Sequence, residues 1–139
     1  MSEMREVAAK FFDACETGQG WSVCQAYCHS DATFSAQHVG SLTGIDTLEG
    51  YTEWMKGMLG PLPDAAYELK SFAVDEDRAT VAACAVFTAT HTGDGGPVPP
   101  TGKCVSADYA YVMAFDGGRI RHATKIWNDA HSLAQLGWA

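Results

Sequence analysis

The pattern of apolar residues changes its period once along this chain, and that single change limits the folds open to it. Up to residue 60 the spacing is helical. Met4, Val7, Ala8, Phe11, Phe12 and Cys15 recur every three or four residues, which puts them on one face of an amphipathic helix with Ser2 as its N-cap and its end near Gly18-Gln19-Gly20. Trp21, Cys24, Ala26, Tyr27 and Cys28 continue into a shorter helix. Ser30-Asp31 then turns the chain into DATFSAQH, a brief strand that runs into a glycine-containing loop. A third helix is expected from Asp46, with Glu49 as its capping-box partner. It carries Leu48, Tyr51, Trp54, Met55, Met58 and Leu59 on one side and is stopped by Gly60-Pro61-Leu62-Pro63.

Beyond that stop the period becomes two. Residues 67–74, 79–92, 104–115 and 119–128 read as four strands. Asp75-Glu76-Asp77 and Asp116-Gly117-Gly118 have the composition of tight hairpin connections, whereas residues 93–102 form a longer loop stiffened by three prolines. Helices followed by a meander define an α+β fold, with the helices packed on one face of a bent antiparallel sheet. The 139 residues fit one domain, 1–139, long enough to bury roughly two-thirds of the surface of the unfolded chain.

Composition narrows the partners. The net charge is −8 and the nine Lys and Arg residues are dispersed, which argues against nucleic acid and against an anionic membrane, both of which need clustered cations. The longest apolar runs are too short to span a bilayer, and the first residues open directly into helical periodicity without the layout of a secretory signal. The chain is therefore read as cytoplasmic. Five cysteines (Cys15, Cys24, Cys28, Cys84 and Cys104) are an odd number without paired metal spacing, so reduced thiols are expected, with Cys24 and Cys28 as small apolar fillers. No metal or cofactor is expected. In residues 108–115, Tyr109, Tyr111, Met113 and Phe115 alternate with Asp108, Ala110, Val112 and Ala114. One face of that strand is expected to cover the helices and the other a second copy of the chain, making a homodimer through the sheet.

Two stretches carry a family resemblance. The first is Thr90-His91-Thr92-Gly93 followed by Pro99-Pro100-Thr101-Gly102-Lys103-Cys104-Val105; the second is Phe115-Asp116-Gly117-Gly118-Arg119-Ile120 with the later Gln135-Leu136-Gly137. Together they resemble the SnoaL-like polyketide cyclases, within the wider superfamily of nuclear-transport-factor-like and ketosteroid-isomerase-like folds. The resemblance implies a cone-shaped curved sheet wrapped around the N-terminal helices, with a pocket inside. In that family a Trp-Asp pair follows the strand's isoleucine, and the aspartate is the general acid/base. Counting from Ile120, those two positions are Thr124 and Lys125. The resemblance thus implies a pocket-facing lysine where the family carries its carboxylate.

Alternation puts Lys125 and Trp127 on one side of the strand. An ammonium in an apolar pocket needs either a partner or a lowered pKa. Paired, Lys125 would hold an anionic or enolate-like oxygen; as a neutral amine it would be a base or a nucleophile toward a carbonyl. A purely structural lysine tied to Asp108 or Asp129 is the alternative. His91 and Asp108 are further candidates for proton transfer, while His122 and His131 read as surface residues. Phe34, His38, Tyr51, Trp54, Met55, Met58, Tyr111, Met113 and Trp127 are the candidates for lining an aromatic pocket. Such a pocket suits a small hydrophobic carbonyl compound better than a sugar or nucleotide. An enzyme of cyclase, isomerase or hydratase type is expected, the other reading being a non-catalytic homodimer that binds a hydrophobic ligand or partner.

Overall fold

The structure is a computed structural model that describes residues 3–139; Ser2, the expected N-cap of the first helix, lies outside the described residues. Helix α1 (Glu3–Glu16) buries Ala8, Phe11, Phe12, Ala14, Cys15 and Glu16, so its buried face continues to the last residue of the helix, a glutamate. Helix α2 (Trp21–Cys24) and a 3₁₀ turn (Gln25–Tyr27) lead into strand β1 (Cys28–Ala36). Helix α3 (Leu48–Met58) begins one residue later than a cap at Asp46 implies. Its N-cap is Thr47, whose hydroxyl accepts from the Gly50 amide, rather than Asp46.

The meander follows as β2 (Ala66–Asp75), β3 (Thr80–Thr90), β4 (Cys104–Asp116) and β5 (Arg119–Trp127), and helix α4 (Asp129–Leu136) closes the fold. At the β4–β5 turn Gly117 and Gly118 have φ of 62° and 84°. Two consecutive left-handed residues make the hairpin geometry whose twist matches the strands.

The sheet order is β1-β5-β4-β3-β2. β2 to β5 are antiparallel neighbours, but β1 runs parallel to β5, pairing Cys28 with Ile120 and Ala36 with Lys125. This mixed edge departs from an all-antiparallel sheet. It arises because α3 and the whole meander separate the two strands, which supplies the long crossover that parallel pairing requires. Register shifts at Leu69/Ser71 and Ala114/Phe115 bend the sheet, and its concave face covers α1 and α3. Along β4 the alternation is strict: Val105, Ala107, Tyr109, Tyr111 and Met113 are buried, while Ser106 and Asp108 face outward.

The two loop motifs noted in the sequence meet in space. His91 and residues 101–103 exchange backbone hydrogen bonds, from the His91 amide to Lys103 O and from the Gly102 amide to His91 O, each 2.9 Å. Thr101 Oγ1 donates to Leu136 O at 2.8 Å, and the Gln135 side chain accepts from the Ser106 amide at 3.0 Å. The motifs therefore fasten the 93–102 loop and the end of α4 to the sheet. All five cysteines are free, three of them buried. Burial pushes the Cys24 and Cys28 thiols up to about 12, consistent with packing residues rather than reactive ones.

Candidate active site

A cavity of about 300 Å³ lies between α3, the ends of β4 and β5, α4 and the 93–102 loop. Its walls are Trp54, Met55 and Met58 from α3, Val105 and Tyr109 from β4, Trp127 from β5, Leu133 and Leu136 from α4, and Pro97 and Trp138 beside them. A carboxyl and an amine open onto this apolar space, those of Glu16 and Lys125. Both are buried, with exposures of 3% and 6%.

Lys125 arrives on the inner face of β5, where Ala123 and Trp127 flank it in the alternation. Its Nζ donates to the Tyr51 hydroxyl at 2.9 Å, and Tyr51 is hydrogen-bonded in turn to the Tyr111 hydroxyl. Five aromatic rings surround the nitrogen: Trp127 with its centre at 4.2 Å, then Tyr51 (5.2 Å), Trp54 and Tyr109 (5.6 Å each) and Tyr111 (5.8 Å). Phe34 stacks on Tyr51 from behind, ring centres 4.2 Å apart and planes within 10°. The rings attract a cation electrostatically but replace few of the hydrogen bonds that water gave it. Burial accordingly pushes the Lys125 pKa down to about 8, against an upward pull from Glu16 and smaller ones from Cys15 and Asp129.

Glu16 is the finding that sequence reasoning missed. Burial raises its carboxyl above the usual range, while Lys125 and the hydroxyls of Tyr109 and Tyr111 draw it back down. Neither carboxyl oxygen, nor the Tyr109 hydroxyl, has a partner within hydrogen-bonding geometry. A carboxyl with both oxygens unsatisfied beside a cavity is costly to the fold unless something fills that space. The signal was available: Glu16 lies four residues after Phe12 and beside Cys15, which continues the apolar stripe of α1.

The other candidates fall into three groups. Lys125, Trp54, Met55, Met58 and Trp127 line the cavity. Phe34, Tyr51, Tyr111 and Met113 are buried core behind its wall, and of these Tyr51 touches Lys125. His91, Asp108 and His38 are not brought to it. His91 is fully buried, and its Nδ1 accepts from Trp138 Nε1 at 2.9 Å and the Thr101 amide at 3.2 Å, so it anchors the loop behind Trp138. Asp108 is exposed on the outer face of the sheet, in a shallow groove with Ser35, Thr124 and Ile126. Neither acid proposed as a tether for Lys125 serves as one. Asp108 faces away, and the Asp129 carboxylate accepts from the Val39 amide at 3.0 Å and 3.1 Å and from the Ser41 amide at 3.4 Å. The half-buried His38 is thereby held in a loop pinned to α4. His122 is engaged on the outer face with Thr33 (2.7 Å) and Ser35 (2.9 Å). Among the described residues no group of three or more His, Cys, Asp or Glu side chains is placed to hold a metal ion, and no helix is long and apolar enough to cross a membrane.

The arrangement is an aromatic chamber with an amine and a carboxyl at its polar end. Comparison with known proteins places the fold. The sequence profile described as SnoaL-like polyketide cyclase matches residues 6–136. No curated protein sequence matches the chain. Among solved structures, AclR, a candidate hydroxylase from Streptomyces galilaeus, is 24% identical over 100% of this chain and 87% of its own, with a TM-score of 0.77. IdmH, a candidate polyketide cyclase from Streptomyces antibioticus, is 21% identical over 98% of this chain and 99% of its own, with a TM-score of 0.78. A SnoaL-like protein from Jannaschia is 14% identical over 99% and 93%, with a TM-score of 0.79. At such identities these likenesses speak for the fold.

Proposed function

The chain belongs to the SnoaL-like polyketide cyclase family, and from that premise we propose that it is an enzyme of cyclase, isomerase or hydratase type acting on a small hydrophobic carbonyl compound. Lys125 takes the place of the family's catalytic aspartate in this reading. The observation that carries it is a lysine amine buried at the polar end of an otherwise apolar 300 Å³ cavity, with its pKa pushed down to about 8. Such a group is available near neutral pH both as a cation and as an amine. As a cation it stabilises the oxyanion that develops when a carbonyl enolises, inside a site where water does not compete; as an amine it is a base or a nucleophile. The aromatic walls fit a flat, cyclic or polyketide-like skeleton.

The test is turnover. A panel of aromatic and alicyclic ketones and aldehydes is incubated with the wild type and with Lys125→Met, and products are followed by mass spectrometry. Conversion by the wild type that Lys125→Met lowers about 100-fold or more is expected. Equal conversion by both proteins refutes the role given to Lys125.

A second reading is a binding protein, supported by the five rings that already coordinate Lys125. A compound that binds in the cavity and is recovered unaltered after long incubation favours it, and conversion removes it. In either reading we propose that the outer sheet face, where Ile126 is 60% exposed, joins two copies of the chain.

A further inference from the structure

The carboxyl of Glu16 has no role in the reading above, and four observations give it one. It lines the same cavity as Lys125. Its two oxygens are buried without hydrogen-bond partners. It is the foremost charge acting on Lys125. From Lys125 a line of hydroxyls leads toward Glu16: Lys125 Nζ donates to Tyr51 and Tyr51 is bonded to Tyr111. The hydroxyls of Tyr111 and Tyr109 act on the Glu16 carboxyl and lower its pKa, but neither carboxyl oxygen is in hydrogen-bonding geometry with them. Phenols pass a proton along such a line by accepting on one side while donating on the other. The line stops at Tyr111, one transfer short of Glu16, and that transfer is part of the inference.

We infer that Glu16 is the second catalytic group of this cavity: through the Tyr51–Tyr111 pair it takes the proton that Lys125 must lose before its amine attacks a ketone or aldehyde, and it then gives that proton to the oxygen that leaves as water. This rests on the carbonyl reading of the site and makes it specific. An ammonium and a carboxylate in an apolar chamber become an amine and a carboxylic acid, which removes two buried charges at once. The Nζ lone pair forms a C–N bond as the carbonyl π pair moves onto oxygen, and a proton from nitrogen neutralises that oxygen, giving a carbinolamine. Glu16 protonates the hydroxyl, the C–O bond breaks, water leaves, and the nitrogen lone pair closes C=N. The products are an iminium on Lys125, one water and a Glu16 carboxylate facing the new cation. Nothing is oxidised or reduced. The same carboxylate is then the base that removes a proton from the adjacent carbon, leaving an enamine. The substrate class is therefore a ketone or aldehyde that bears an α-hydrogen and is apolar elsewhere.

Other ionisable groups face this pair: Cys15 beside Glu16 on α1, Tyr51 on α3, Tyr109 and Tyr111 on β4, and Asp129 at the start of α4. The test is accordingly a comparison at one residue. Two reactions of Lys125 are followed by peptide mass across pH in the wild type and in Glu16→Gln. The first is arylation by 1-fluoro-2,4-dinitrobenzene, a neutral aromatic that needs only a free amine. The second is reductive trapping of cyclohexanone with cyanoborohydride, which needs the iminium. Removing the carboxylate takes away a group that favours the ammonium, so the arylation midpoint falls by about one pH unit. Trapping at neutral pH falls about 100-fold, because water no longer leaves with acid assistance.

These opposite changes are what a merely structural glutamate would not produce. Arylation and trapping that rise together reduce Glu16 to an electrostatic neighbour and overturn the proposal, as does trapping of equal yield in both proteins. Absence of any cyclohexanone adduct on wild-type Lys125, with arylation present, overturns the carbonyl reading itself. Tyr111→Phe tests the hydroxyl line if Glu16→Gln does not fold: trapping that drops about 10-fold or more with an unchanged arylation midpoint supports it, and unchanged trapping refutes it.

Discussion

Lys125 Nζ sits 4.2 Å from the centre of the Trp127 indole, two residues further along the same strand. A β-strand projects residues i and i+2 from one face, so the amine and the ring that meets it are built by adjacent positions of a single alternation. The contact favours the charged amine and works against burial, which favours the neutral one. The balance between them sets how much free amine the cavity offers.

Replacing that ring shifts the balance. In Trp127→Leu the cation loses its nearest π face, an interaction of about 1–2 kcal/mol in a desolvated setting, and the Lys125 pKa falls by roughly one unit. The pH midpoint for arylation of Lys125, read by peptide mass, moves down accordingly. A midpoint that moves up would mean that the leucine variant admits water.

Lys125 also destabilises the fold at neutral pH. Its folded pKa of about 8 lies below the ordinary value of 10.5, so between those values the unfolded chain binds more protons than the folded one and this group's contribution to stability rises with pH. Lys125→Met is therefore more stable than the wild type at pH 7, by about 1–3 kcal/mol in urea denaturation, and the difference shrinks as pH approaches 10. Comparing the two proteins cancels the groups that do not feel Lys125, whereas Cys15 and Glu16, which Lys125 draws down, shift upward in the variant. A difference independent of pH would contradict the assigned shift.

Gly93 is where the long loop crosses the end of α3. Its amide donates to Pro61 O at 3.1 Å, and a Cβ there would collide with the Gly60 carbonyl. Because that obstacle is backbone, it moves only with the chain. Gly93→Ala is expected to lower stability by about 1–3 kcal/mol, seen as a lower urea midpoint with an unchanged slope.

Ile126 tests the outer face. Light scattering on the wild type is expected to give twice the chain mass, and Ile126→Lys to give the monomer, because a charge at the middle of an apolar contact is left desolvated. A wild type that scatters as a monomer refutes the sheet-mediated dimer.

The single change of period made the architecture readable, because a helix stripe and a strand alternation survive in the order of the residues alone. Asp46 and Thr47 are both good caps for α3, and backbone geometry, which the sequence does not carry, decides for Thr47. The parallel edge was not readable, as pairing of β1 with β5 depends on two segments about ninety residues apart. The pocket-facing place of Lys125 follows from the family resemblance, parity puts Trp127 beside it, and Trp54, Met55 and Met58 share one helical face with Tyr51, which lies in the core behind the cavity wall. Glu16 also leaves a signal in the sequence. A glutamate in the last turn of a helix opposes the helix dipole, and one that also continues the apolar stripe has two reasons not to be there. His91 has the residue type for proton transfer, and only its contacts with Trp138 and Thr101 reveal a fastening role.

The place of β5 between β1 and β4 bears on how the protein is made. β1 is synthesised well before its ladder neighbour, residues 119–127. Until β5 exists β1 has no strand to pair with, and Glu16 and Tyr51 have no amine to meet. The strand that joins β1 to the rest of the sheet is therefore the one that brings Lys125 to the chamber. Contacts this distant along the chain form slowly, so the sheet and the chemistry are completed by the same slow pairing.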